Sequence, residues 1–325
     1  MIKTLDELIT ADIRTIAIAG HVRPDGDCFG STTAVWSYLT KNYPELSVSL
    51  YLEEMPPEFR FLPGSETYLS EVKDSAPVDL FISCDVSTVE RIGVAGELFA
   101  NAKRRVCFDH HISNPGFADE NHIYPDASSC AEVIFNYIPY EKLDLDTASS
   151  IYTGIVHDTG VFQQANTTPE TMEAAAKLLR KGVPGAWIVD KSVNERSHAR
   201  TLLFGAAFLR SRLFLDGQVV MSHLCLSDFE KYGCSSSDSQ GIVAELRKTT
   251  GAEVAAFAYE IEPDSYRVSL RSCEYLNVSD AAAHFGGGGH VRAAGCGVKG
   301  SVAEVYSQIL AVLKTALENT RASGI

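Results

Sequence analysis

The chain has 325 residues, of which 45% are hydrophobic and 22% charged, and its formal net charge at pH 7 is −14. This length exceeds that of one ordinary hydrophobic core, so we expect two domains. The acidic balance argues against long nucleic acid as a partner, because such binding depends on many Lys and Arg side chains that neutralise phosphates.

Neither a membrane nor an oxidising compartment is indicated. No apolar run approaches the roughly 20 residues that a membrane-spanning helix needs. The opening residues, MIKTLDE, contain no signal-peptide core. The eight cysteines include no Cys-x-x-Cys pair, which excludes the zinc-ribbon and thioredoxin-like spacings. We therefore expect a cytoplasmic protein with free thiols.

The first half of the chain alternates strand-like runs with helical patterns. The predicted strands are residues 13–19, 47–52, 79–85 and 106–109. A helix is expected to begin near Gly30 and Ser31, and further helices at 129–137, 146–156 and 168–181. The Pro- and Glu-rich residues 53–64 are predicted to form a surface excursion. Helices between successive strands favour a parallel sheet with right-handed crossovers.

Carboxylates and imidazoles follow the ends of three of these strands, and a further carboxylate ends a helical pattern. In chain order these side chains are His21, Asp25, Asp27, Asp85, Asp109, His110, His111 and Asp158. A single aspartate after a strand is usually a helix cap or a turn residue. In open α/β sheets, however, ligands bind at the carboxyl ends of the strands. One oxygen-rich cluster at that edge accounts for all of them.

The donor types in this cluster indicate its chemistry. Carboxylates with one or two imidazoles suit a hard or borderline divalent cation, with Mn²⁺ the best fit and Mg²⁺ the next. Two such cations stabilise in-line attack on phosphorus and the departure of the leaving oxygen. The sequence therefore predicts hydrolysis of a phosphate ester.

The second half mixes hairpins with helices. A polar connector at 182–200 leads into a helix at 201–209, and a hairpin at 212–215 and 219–224 turns at Asp216-Gly217. The remaining predicted elements are helices at 239–249, 278–285 and 301–323 and strands at 253–261 and 266–271.

A glycine-rich string is the most unusual stretch of this half. Four consecutive glycines at 286–289 are costly in backbone entropy, and they make sense where the main chain turns tightly or approaches another group closely. Amides of such a loop form an anion-binding concavity. The predicted substrate-binding residues are Arg271, Gly287, Gly288, Gly289, His290 and Arg292. The alternative is a purely structural role, in which the glycines form a packing turn and the arginine is solvated.

In order and residue type, these segments resemble the DHH phosphoesterases, which include RecJ-type exonucleases, manganese pyrophosphatases and nanoRNases. The resemblance rests on the motifs His21-x-x-x-Asp25-x-Asp27, Asp85, Asp109-His110-His111 and Asp158-Thr159-Gly160, within about residues 13–168. The glycine-rich string resembles the signature of the DHH-associated C-terminal domain, over about residues 212–320.

The resemblance implies a role for each residue of the cluster. His21 and Asp25 would bind one cation, Asp27, His110 and Asp158 the other, and Asp85 would bridge both. The catalytic residues would be Asp85, His111, which contacts substrate phosphate or donates a proton, and Asp109, which orients an imidazole.

The expected fold is α/β. A catalytic domain with a mainly parallel sheet flanked by helices spans 1–185, and a connecting helix follows at 186–210. A smaller substrate-binding α/β domain with a mixed sheet spans 211–325, and the active site would lie in the cleft between the domains. A homodimer is also expected by the resemblance.

The resemblance implies hydrolysis of short RNA or linear dinucleotides to mononucleotides, and 3′-phosphoadenosine 5′-phosphate as a further substrate. A manganese pyrophosphatase or exopolyphosphatase-like hydrolase is an alternative, against which the glycine-rich loop argues. A processive single-strand exonuclease would be longer and more basic. A nucleotide-binding module without turnover is a third alternative, but the complete set of six ligands weighs against it.

Overall fold

The protein is described here by a computed structural model, which covers residues 3–73 and 76–322. The chain divides into two compact units, Met1–Glu195 and Arg196–Ile325. The predicted fold class is confirmed, since the first unit contains a parallel sheet and the second a mixed sheet. The predicted end of the last helix, Ser323, lies outside the described residues. Within the part of the chain that is described, no helix is both long and apolar enough to cross a membrane.

The sheet of the first unit has five strands in the order β2-β1-β3-β4-β5, and every neighbouring pair is parallel. The strands are β1 Thr15–Ala19, β2 Ser47–Tyr51, β3 Leu80–Cys84, β4 Arg104–Asp109 and β5 Glu120–Ile123. Every residue of β3 is buried, because layers on both faces cover the middle of a parallel sheet.

Helices cover this sheet. They are α1 Gly26–Asn42, α2 Gly96–Asn101, α3 Cys130–Tyr137, α4 Leu145–Asp158, α5 Pro169–Arg180 and α6 Gly185–Val189. Side chains of Ser129, Asp144 and Thr168 cap the N-termini of α3, α4 and α5, which satisfies amides that have no partner within the helix. In α1, a Cβ at Gly30 would come within 2.6 Å of the Gly154 backbone nitrogen in α4. Glycine there allows the close approach of the two helices.

Two local predictions in this unit were wrong, and one strand was missed. Helix α1 begins at Gly26 rather than near Gly30, because Asp25 caps it. Residues 53–64 are not simply a surface excursion, since Met55, Phe59 and Leu62 are buried in the core. Strand β5 was not predicted.

The second unit contains a six-stranded sheet in the order β10-β11-β9-β8-β7-β6. Its strands are β6 Arg212–Phe214, β7 Val219–Leu224, β8 Val254–Glu262, β9 Ser265–Ser272, β10 Gly288–His290 and β11 Ala293–Lys299. Its helices are α7 His198–Leu209, α8 Leu226–Tyr232, α9 Ile242–Leu246, α10 Val278–Ala283 and α11 Val302–Ala322. The β7–β8 pair is parallel and the other pairs are antiparallel.

The second unit has a core on each face of its sheet. In β8, Val254 and Ala256 belong to one core and Ala255 and Phe257 to the other, as expected for a strand whose successive side chains alternate in direction. The predicted glycine-rich loop is partly a hairpin here, because Gly288–His290 pairs with the start of β11.

Candidate metal centre

The parallel sheet brings the predicted cluster to one edge. His21 lies two residues beyond the end of β1, Asp85 directly follows β3, and Asp109 is the last residue of β4. Because β1, β3 and β4 are adjacent and parallel, their carboxyl ends lie side by side. His110 and His111 continue from β4 at the same edge.

The N-terminus of α1 supplies two of the predicted aspartates in different environments. Asp25 caps the helix and accepts hydrogen bonds from the backbone N–H groups of Asp27 and Cys28, both at 3.1 Å. Asp27 is only 1% exposed. Its carboxylate accepts from the backbone N–H groups of Cys130 at 2.6 Å and Ala131 at 2.9 Å. The N-terminus of α3 therefore fixes the orientation of Asp27.

Asp85 lies at the centre of the cluster, with its two oxygens facing different imidazoles. Its Oδ2 is 3.4 Å from Nε2 of His21, and its Oδ1 is 3.6 Å from Nε2 of His110. Nε2 of His110 is also 3.4 Å from Asp158 Oδ2 and 3.9 Å from Asp27 Oδ2. Asp85 therefore lies between His21 on one side and His110, with its neighbouring carboxylates, on the other.

The surroundings of Asp85 are incomplete without a positive ion. Its side chain is buried and its Oδ1 has no hydrogen-bond partner. Its backbone adopts φ +61°, which is uncommon for a residue other than glycine. The backbone N–H donates to the carbonyl of Phe108 at 3.0 Å. A buried carboxylate oxygen without a donor is costly unless a cation compensates its charge.

Two carboxylates of the cluster, Asp27 and Asp158, have raised pKa values because they are buried close to other negative charges. Burial, together with the charges of Asp85 and Asp158, raises the pKa of Asp27 well above its usual value. Burial chiefly raises the pKa of Asp158 to about 6, with the charges of Asp85 and Asp25 adding to the effect. A divalent cation neutralises two such charges where a proton neutralises one. Several oxygen and imidazole donors that lie this close together fit a divalent cation.

The imidazoles of His21 and His110 both direct Nε2, the nitrogen that would bind a cation, towards the carboxylates. Nδ1 of His110 lies 3.4 Å from the carbonyl oxygen of Ala127, and Nδ1 of His21 lies 2.9 Å from that of Val22. A proton on each Nδ1 that donates to the carbonyl leaves the Nε2 lone pair facing the carboxylates.

Asp109 contacts His111 rather than the other ligands. Its Oδ1 accepts from Nδ1 of His111 at 2.7 Å, and its Oδ2 accepts from Nδ2 of Asn114 at 2.6 Å. The bond to Asp109 raises the pKa of His111. Although burial opposes it, hydrogen bonding to His111 and Asn114 lowers the pKa of Asp109. The pair thus favours a protonated imidazole, and a third of the His111 side chain, 34%, is exposed.

The described residues contain three groups of potential ligand atoms, and within each group the atoms lie no more than 4.8 Å apart. They are His21 with Cys28 and Asp85, Asp85 with His110 and His111, and Asp27 with His110 and Asp158. Cys28 was not among the predicted ligands, although it directly follows Asp27 in the first turn of α1. Asp25 joins none of these groups, but its Oδ1 is 3.7 Å from Nε2 of His21.

In the second unit, the predicted substrate-binding residues surround the β10–β11 hairpin. A Cβ at Gly287 or Gly289 would collide with β11, so close strand packing accounts for both glycines. The Arg292 guanidinium donates to the carbonyls of Leu276 and Glu274. This side chain therefore supports the turn in addition to any contact with a ligand.

His290 and Arg271 differ in exposure. His290 is exposed, and a Cβ added at Gly288, two residues before it, would meet no other atom within 4 Å. Arg271 is half-buried and donates to the carbonyl of Leu270 at 2.9 Å. Burial, with a smaller contribution from Arg247, lowers its pKa.

A cavity of about 600 Å³ lies elsewhere in the first unit, beside α3 and α5. Tyr124, Phe135 and Lys177 are among its lining residues, and none of the predicted metal ligands lines it. The candidate site is therefore the group of carboxylates and imidazoles that converges at the sheet edge, and this cavity is separate from it.

Comparisons with known proteins agree with the motifs. Residues 15–155 match the family model described as DHH family, N-terminal domain, and residues 216–319 match the DHHA1 domain. Similar relatives are the "Bifunctional oligoribonuclease and PAP phosphatase NrnA" proteins of Thermus thermophilus and Bacillus subtilis. The first is 32% identical over 96% of this chain and 93% of the relative, and the second 28% over 93% and 94%. A crystal structure of an exopolyphosphatase-related protein from Bacteroides fragilis has a TM-score of 0.82 at 25% identity, covering 94% of this chain and 92% of that one.

Proposed function

The chain belongs to the DHH family of phosphoesterases and carries a DHHA1 domain, and from this premise we propose that it hydrolyses short oligoribonucleotides or linear dinucleotides to mononucleotides. We propose 3′-phosphoadenosine 5′-phosphate as a further substrate. Both proposals are supported by likeness, over more than nine-tenths of the chain, to proteins named oligoribonuclease and PAP phosphatase.

The observation that carries the proposal is the position of Asp85 between two imidazoles. Each of its oxygens faces a different histidine, and one oxygen has no hydrogen-bond donor. DHH phosphoesterases depend on metal ions, and we propose Mn²⁺ as the natural choice for these donors, with Mg²⁺ next. His21 and Asp25 would hold one cation, Asp27, His110 and Asp158 the other, and Asp85 both.

Bound divalent cations supply Lewis-acid stabilisation of charge on the phosphoryl oxygens and the attacking and leaving groups. Side chains of the protein supply the rest of the chemistry. Asp109 holds the proton-bearing Nδ1 of His111 at 2.7 Å, which fixes the ring and favours its charged form. A protonated His111 either contacts a phosphate oxygen or donates its proton to the departing oxygen of the ester.

In the second unit, we propose that the exposed His290, the neighbouring Gly287–Gly289 backbone and Arg271 contact the substrate's phosphate or base. Arg292 would act partly through the turn that it supports. Arg292→Ala should therefore raise the KM for a dinucleotide and also lower the melting temperature. An unchanged KM would count against a role for this hairpin in binding.

A substrate panel tests the proposed function. Purified protein with Mn²⁺ is incubated separately with a dinucleotide, 3′-phosphoadenosine 5′-phosphate, pyrophosphate and a long single strand. We expect the first two to be consumed and pyrophosphate to be spared. Rapid pyrophosphate hydrolysis with an intact dinucleotide would favour the pyrophosphatase alternative. Tight nucleotide binding without turnover of any substrate would favour the non-catalytic alternative.

Oligomeric state and cellular location stay predictions. Sedimentation of the purified protein will distinguish the expected homodimer from a monomer. We further propose that the enzyme acts in the cytoplasm, where short RNA fragments arise.

A further inference from the structure

Arg91 lies beside the candidate metal centre, in a loop whose backbone is fixed by several contacts. It lies in the 3₁₀ segment Val89–Ala95 that follows β3. Its backbone carbonyl accepts from the N–H of Val22 at 2.8 Å, so the loops after β1 and β3 are joined at this point. Its neighbour Ile92 is buried in the core. At Gly93 the backbone adopts φ +68°, and an added Cβ would come within 2.7 Å of Val22 Cγ1.

The guanidinium of Arg91 contacts the imidazole of His21. Its terminal nitrogen is 3.1 Å from Nδ1 of His21. Among the described residues, no carboxylate oxygen lies within 4.0 Å of this guanidinium, despite five aspartates in the cluster. A half-buried arginine without a carboxylate partner is unusual, because such cations are normally paired.

The contact with His21 is incompatible with the use of His21 as a metal ligand through Nε2. Nδ1 of His21 is close both to the Val22 carbonyl, at 2.9 Å, and to Arg91, at 3.1 Å. It donates to the carbonyl if it carries the proton, or accepts from the guanidinium if it does not. A histidine that binds a cation through Nε2 keeps its proton on Nδ1. Arg91 then loses this acceptor, which is the one side-chain hydrogen-bond partner that it has among the described residues.

We propose that Arg91 is a substrate-binding residue whose freed N–H groups contact phosphate oxygens at the metal centre. A guanidinium matches the geometry of two phosphate oxygens and keeps its charge at any working pH. The proposal rests on the proposed function, because it requires a phosphate group at this sheet edge. The alternative is a positioning role, in which Arg91 only fixes the His21 ring.

Mn²⁺ affinity and phosphate affinity, measured separately, distinguish these roles. Arg91→Ala, Arg91→Lys and the wild type are titrated calorimetrically with Mn²⁺, and then with adenosine 5′-monophosphate at saturating Mn²⁺. Kinetics with a dinucleotide give KM and kcat. Arg60→Ala, which removes an exposed arginine of the same unit, is the matched control.

In Arg91→Ala we expect Mn²⁺ affinity to stay within about twofold of the wild type, while the Kd for the monophosphate and the KM for the dinucleotide rise roughly 10- to 100-fold, as for loss of a charged hydrogen bond. Arg91→Lys should lose less affinity, because it keeps the charge but not the planar fork. Arg60→Ala should match the wild type.

Two other results separate this inference from the proposed function. Weakened Mn²⁺ binding with an unchanged monophosphate Kd at saturating Mn²⁺ would overturn the inference in favour of the positioning role, whether or not the wild type cleaves the dinucleotide. Arg91-dependent monophosphate binding by a wild type that cleaves no dinucleotide would support the inference and contradict the proposed function.

Discussion

Asp85→Asn is the substitution with the largest expected effect on catalysis. Asparagine matches the shape of aspartate and tolerates the left-handed backbone, φ +61°, at this position. The fold should therefore survive. The change removes the charge that lies between Nε2 of His21 and Nε2 of His110, and with it the ligand that both cations would share.

The expected loss follows from the role of a shared ligand. Lewis-acid stabilisation of a phosphoryl transition state is worth several kcal/mol, so a loss of roughly 3–5 kcal/mol lowers kcat about 10²- to 10⁴-fold. In the wild type, a cation at about 100 times its Kd adds about 2.7 kcal/mol to stability. That corresponds to a rise of about 5–10 °C in the melting temperature of a unit this size. Asp85→Asn should lose most of this rise.

The assays are dinucleotide turnover and thermal unfolding with and without Mn²⁺. Without Mn²⁺ the variant should unfold at the wild-type temperature or above. In the wild type the charge of Asp85 repels the buried carboxyl of Asp27 and helps to raise its pKa, and the substitution removes this repulsion. Asp126→Asn, at an exposed position of the same unit, is the control and should match the wild type. Near-normal kcat with an undiminished Mn²⁺ effect would refute the bridging role of Asp85.

Three further outcomes are expected. His111→Gln should lower kcat about 10²- to 10⁴-fold, with a smaller loss on a nitrophenyl nucleotide ester, whose leaving group needs no proton; equal losses on both substrates would exclude proton donation. The pKa of Asp158, raised to about 6, means that its carboxyl binds protons more tightly in the folded state, so its contribution to stability is lost as pH rises through that value. Mn²⁺ should therefore raise the melting temperature more at about pH 8 than at about pH 5, and the reverse order would contradict this assignment. Gly154→Ala should weaken Mn²⁺ binding, because its Cβ would lie 2.6 Å from Asp27 Oδ1; Gly205→Ala, at a helical position with no atom within 4 Å, should not, and equal effects would discount the contact.

Sequence reasoning succeeded where hydrophobic runs end in charged residues. The runs before His21, Asp85 and Asp109 became adjacent parallel strands, and parallel order at one edge is enough to gather the side chains. Helix α1 begins four residues before the predicted position, because the carboxylate of Asp25, which also lies close to His21, caps the helix.

The missed elements lack a strong local signal. Strand β5, Glu120–Ile123, has four residues of mixed polarity, so only pairing with β4 defines it. Strands β10 and β11 are rich in glycine and alanine, which have low strand propensity. Their pairing depends on glycines at which a side chain would collide with the partner strand. The nearness of Arg91 to His21 arises from a backbone hydrogen bond between two loops, which spacing along the chain does not reveal.

The most direct test of the central claim is the location of bound Mn²⁺ by anomalous diffraction from crystals grown with the ion. We expect two peaks, one beside His21 and one beside His110 and Asp158, with oxygens of Asp85 contacting both. A single ion, or ions that Asp85 does not contact, would contradict the claim that four distant stretches of the chain assemble a two-cation centre.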